Sequence, residues 1–186
     1  GAIVNSSSRS QNKAFGKITL AGDTTVGGVS EWDLRNSTPT LTLNGYDFTK
    51  IGLNTIVFSA AAVNPNGIGG TGDIDLKAGV LILDSVTALN GSASNLMTVR
   101  NGAQLQLYNF STNNPAGWSL VLETNSTVSP IAGSGSGTIN TWVGPVKLTN
   151  GAAVFSGNTG FSATFSGPVS GGGSIIKNGA STVFLT

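Results

Sequence analysis

Seven short stretches of this chain share one pattern: alternating apolar and polar residues, a tight turn, then a second alternating stretch. Met97-Thr98-Val99-Arg100-Asn101-Gly102-Ala103-Gln104-Leu105 is one copy and Val146-Lys147-Leu148-Thr149-Asn150-Gly151-Ala152-Ala153-Val154 another. Placing the turn residues in one column gives Gly22, Gly45, Gly79, Gly102, Asn125, Gly151 and Gly179. Glycine suits a turn position with positive φ, and asparagine is the side chain that most often tolerates it. The intervals are 23, 34, 23, 23, 26 and 28 residues. A period in the twenties built from short strands predicts a solenoid.

A leucine-rich repeat needs a leucine and asparagine ladder that this chain lacks, and a propeller blade needs roughly twice the period. What remains is an all-β parallel β-helix of about seven coils, each stacked about 4.8 Å above the last, and so a rod roughly 30 Å tall. The single interval of 34 predicts about eleven extra residues, a loop near 60–72 where Pro65 and four glycines interrupt any strand. Leu81, Leu83, Leu105, Leu107, Leu120 and Leu122 alternate with other side chains, which predicts one buried and one exposed face per strand.

Residues 171–179, Gly-Gly-Gly-Ser-Ile-Ile-Lys-Asn-Gly, followed by Thr182-Val183-Phe184-Leu185-Thr186, resemble the autotransporter-associated β-strand repeat. That family's pattern runs from a glycine-rich lead through two apolar residues to Lys, any residue and Gly, then alternates Thr and Leu. Residues 1–5 and 16–27 look like the coil upstream of it. Ser181 departs from the pattern, which usually has glycine there, and the middle coils keep the period without the motif. The specific match covers about a quarter of the chain. The resemblance implies a right-handed parallel β-helix in a bacterial surface or secreted protein, commonly an autotransporter passenger. It does not imply an enzyme.

Composition narrows the chemistry. The 186 residues read as a single domain, 1–186, with 9% charged residues and a net charge of +1. Such a chain sets up no strong field toward nucleic acid or an anionic membrane. Its longest mainly apolar run, Ile56 to Val63, is far short of a bilayer span. There is no Cys, so no disulfide and no thiolate metal site, and no His, the commonest general base. Asp73 and Asp75 are two apart near one strand and are the weak candidates for a hard cation. The eight acids form no recurring cluster, so no catalytic residue and no cofactor are expected.

Trp32 sits among Glu31, Asp33 and Arg35, which reads as a solvated corner with a half-buried ring. The alternative function is a carbohydrate-binding surface module, with Trp32, Trp118 or the 60–72 loop as the candidate glycan contacts. The chain opens without a basic, apolar leader and stops in mid-strand, so it reads as a section of a longer protein or a subunit whose ends meet neighbours. The expected function is a structural, extracellular or cell-surface rod or adhesin stalk. Its partners would be flanking coils of the same longer chain, or further copies of itself stacked head to tail through Ile3 and Val4 at one end and Val183, Phe184 and Leu185 at the other. An uncapped coil invites such pairing because its edge groups are unpaired.

Overall fold

The computed structural model describes residues 2–59, 62–64, 72–84, 89, 93–108, 116–131 and 139–186. Among them are 22 strands and no helix. The chain winds as a parallel β-helix with three faces. The first face is an eight-stranded sheet running from Ala2–Asn5 to Val169–Gly171, and the second an eight-stranded sheet from Gln11–Phe15 to Ser174–Lys177. The third face is described as two three-stranded sheets. One holds Lys17–Thr19, Thr40–Thr42 and Ala62–Asn64, the other Ile139–Trp142, Ser162–Phe165 and Thr182–Leu185. Each strand pairs in parallel with the strand of the same face one coil away, so eight rungs make about seven turns.

Register fixes the length of each coil. One inward ladder of the first face reads Ile3, Val26, Lys50, Leu76, Val99, Leu122, Leu148, Gly171. The spacings are 23, 24, 26, 23, 23, 26 and 23 residues, with no step of 34. The coil from Lys50 to Leu76 therefore carries two or three residues more than its neighbours, not eleven. Most of the expected loop at 60–72 lies outside the described residues; Ala62–Asn64 within it form a third-face strand.

The single turn column divides among three corners. Gly79, Gly102, Asn125 and Gly151 do share one, between the first and second faces, with φ of 70°, 76°, 56° and 94°. Gly22 and Gly45 lie between the third face and the first, and Gly179 between the second and the third. Gly22 does not have a positive φ, and a Cβ there would meet nothing within 4 Å. The step of 34 was a change of corner between Gly45 and Gly79.

The core is a set of one-residue-per-rung ladders. Leu81, Leu105 and Val128 stack on the second face, with Leu83, Leu107 and Pro130 beside them. All but Pro130 belong to the buried core, and each fully buried aliphatic side chain contributes about 2 kcal/mol. Pro130 lacks an amide donor but costs no described ladder bond, because pairing to the next rung is limited to Thr127 and Val128. Edge-to-face pairs Phe48–Phe58 and Phe155–Phe165 join residues of different faces across the interior.

Candidate functional site

All eight acids and nine cations of the chain fall within the described residues. Most of the acids are engaged between rungs. Asp23 accepts the Asp47 N–H at 3.0 Å, Asp47 accepts the Asp73 N–H at 3.2 Å, and Asp73 accepts the Leu96 N–H at 2.9 Å. One aspartate per coil thus stitches the corner that leads into the first face along the axis. Burial raises the Asp73 carboxyl above its ordinary pKa, and the nearby Asp47 charge adds to this while the Leu96 N–H opposes it. On the outer side, Arg100 donates to Asp75 at 2.7 and 3.2 Å and to Glu123 at 2.8 Å, spanning three coils. Hydrogen bonds to those carboxylates hold the Arg100 guanidinium above its ordinary pKa. Asp73 and Asp75 therefore serve different networks, and no group of three potential ligands forms a metal site among the described residues.

Asp33 is buried. Its carboxylate accepts the Lys13 and Ala14 N–H groups, and Arg35 Nε lies 2.8 Å away as an ion pair whose angle is poor for a hydrogen bond. Lys13 takes a positive φ of 61° at the irregularity in strand Gln11–Phe15 that brings these amides onto Asp33. Beside this anchor runs a shallow outer groove of about 240 Å³, with Val57 and Ile82 as floor and Glu31, Arg35, Asp84 and Tyr108 around it.

The two tryptophans expected at the surface are inside. Trp32 is 1% and Trp118 0% exposed, so neither offers a ring face to a sugar. Trp32 alternates inward with Leu34 and packs edge-to-face on Phe15. The charged neighbours that suggested a solvated corner are the outward half of the alternation, and the corner is not half-buried but closed over.

Charge lies in the core instead. Lys50 stands between Val26 and Leu76 in an inward ladder and is 0% exposed. Its Nζ donates to the carbonyls of Ile51 and Gly52 at 2.8 Å each and of Ala78, in the following coil, at 3.1 Å. Burial lowers its pKa to about 8. The alternation of Phe48-Thr49-Lys50 carries the inward placement, but a lysine there reads as surface until register is known.

In the first and last rungs each strand has one paired neighbour within this sequence. At the first rung, Ile3, Ala14, Phe15 and Trp32 line an apolar cavity of about 140 Å³. At the last, Ile175 and Val183 are half-covered on the core, and Leu185 shares the inward column of Phe165. Val4 and Phe184 lie in the end rungs, alternate outward and are 63% and 47% exposed, and Val4 also lines the first-rung cavity. Lys177 follows the inward column of Phe155, and its Nζ donates to Asn178 O at 2.6 Å and Gly179 O at 3.0 Å.

No family model matches the chain, and neither a curated protein nor a solved structure matches it.

Proposed function

We propose that this chain is a non-catalytic structural rod at a bacterial cell surface, part of an autotransporter-like passenger or adhesin stalk. The observation that carries this reading is the use of the charged groups. Asp23, Asp47, Asp73, Asp75, Glu123 and Arg100 link successive rungs along the axis rather than converging on a cleft. The lack of Cys and His, the low charge and the resemblance of residues 171–186 to the autotransporter-associated repeat support the location. Its mechanism is mechanical: inter-rung hydrogen bonds run along the axis, and apolar ladders hold the coils in register.

Pulling the chain from its two ends by optical tweezers tests this. A rod of this kind loses one coil at a time, each event releasing about 80 Å of extended chain. A smooth, low-force extension without steps would refute the mechanical reading. So would turnover of polysaccharide by the purified protein.

A further inference from the structure

The outer groove beside Asp33 is built within the coil stack. Glu31 and Arg35 flank the second-rung strand Trp32–Leu34, and Val57 lies in the third rung. Ile82 and Asp84 lie in the fourth rung and Tyr108 in the fifth, of eight in all. Register lines these residues up along the axis. Asp33, Val57 and Ile82 form one outward column, and Ser59, Asp84 and Tyr108 the next, with Arg35 at its foot. The three rung steps from Arg35 to Tyr108 span about 14 Å.

Donors and acceptors border an apolar strip along that length. Val57 and Ile82 supply the strip, and Tyr108 adds a partly buried ring at one end. Arg35 meets Asp33 and Asp84 as ion pairs, at 2.8 and 3.9 Å, and makes no hydrogen bond among the described residues. Its side chain is 41% exposed, so its Nη groups are donors open to a ligand. Glu31 and Asp84 are acceptors, and Ser59 Oγ holds Asp84 in place at 2.8 Å. The Tyr108 hydroxyl both donates and accepts.

Charge selects the class of ligand. The Arg35 charge is already answered by Asp33 and Asp84. An anion would face Glu31, Asp33 and Asp84, and a cation would face Arg35. A neutral molecule whose groups donate and accept alike escapes both.

We infer that this groove binds a neutral sugar ring of an oligosaccharide. A pyranose brings an apolar C–H face for Val57, Ile82 and the Tyr108 ring. Its rim of hydroxyls accepts from Arg35 and donates to Glu31 and Asp84. At about 240 Å³ the groove is smaller than the ~300–1,000 Å³ of sites that enclose a drug-sized ligand, so it seats one ring of a chain lying along the axis. The inference goes beyond the rod and does not depend on it. The flank of the second face supplies the contact that the enclosed Trp32 and Trp118 do not. Trp32 faces inward from the same wall, so tryptophan emission is silent on this binding.

Methyl NMR of wild type tests the site. The probes are neutral oligosaccharides of glucose, galactose and mannose, with sialylated and amino-sugar oligosaccharides as controls. Neutral probes are expected to shift the Val57 and Ile82 methyls saturably and to leave Val121, on the outer side of the first face, unmoved. Tyr108→Ala and Ile82→Arg should each weaken that binding by about tenfold or more. Both side chains alternate outward, and circular dichroism establishes that each variant folds. No shift with any neutral probe at ~10 mM overturns the inference. So does a response confined to the acidic or amino-sugar controls, or one that either folded variant retains in full. If a variant does not fold, the wild-type methyl shifts decide alone. The pulling experiment reads the coils, so stepwise unravelling without sugar binding would sink the groove and leave the rod.

Discussion

Lys50 and Leu76 are direct neighbours in one inward ladder, so an ammonium group sits where the coil above places an aliphatic side chain. The ammonium is solvated by three backbone carbonyls and not by a counter-ion.

That arrangement makes stability depend on alkaline pH in a defined direction. The folded-state pKa, about 8, lies below the ordinary 10.5 of an exposed lysine. Between those values the unfolded chain binds more protons than the folded one, so stability rises as pH rises. The gain is on the order of 3 kcal/mol from that shift. It is absent below pH 8 and complete above 10.5. Urea titrations across this window should show it in wild type and not in Lys50→Met.

Asp33 anchors the first two coils through the Lys13 and Ala14 amides and through Arg35. Asp33→Ala leaves those amides without their acceptor and the guanidinium without its nearest counter-ion, and should cost about 3 kcal/mol. Hydrogen exchange should accelerate first in residues 11–15, while the amides of 97–107 keep their protection. Equal acceleration along the rod would contradict a local anchor.

Asn125 holds a left-handed conformation at φ 56° in a column otherwise occupied by glycine. Asn125→Ala should therefore destabilise by about 1–2 kcal/mol and Asn125→Gly by little or nothing. The midpoint of urea denaturation distinguishes the two.

Arg100 reaches Asp75 and Glu123 from a partly exposed position, so salt weakens the link. Arg100→Lys loses the forked geometry and should cost about 1 kcal/mol at low salt. Repeating the denaturation in 1 M salt, where the Debye length is about 3 Å, should shrink that difference.

The buried indoles predict a spectroscopic result. Trp32, Trp118 and Trp142 are all enclosed, so native fluorescence should be blue-shifted and resist acrylamide. Adding oligosaccharides should leave the spectrum unchanged. A glycan-dependent shift would return the tryptophans to the surface.

The parallel β-helix and its period were readable because inward alternation and turn residues recur along one chain. The corners were not. Glycine suits any of the three, so Gly45 and Gly79 fell into one column although a face separates them. Register, which decides the coil length, is set by pairing between strands about 23 to 26 residues apart, and no local pattern reports it. Trp32 and Lys50 were misplaced or missed for one reason. Residue type suggested the opposite of what alternation required, and burial was decided by Trp32's place beside Leu34 and Lys50's beside Phe48. The charge ladder through Asp75, Arg100 and Glu123 was invisible because its members meet only across coils.

The unequal coils carry a last implication. Steps of 23 and of 26 residues produce the same single rung, since the surplus is taken up between strands. The span of this molecule is therefore quantised: small insertions change its girth and leave its height alone. Only gain or loss of a whole winding would alter the distance between its first and last rungs.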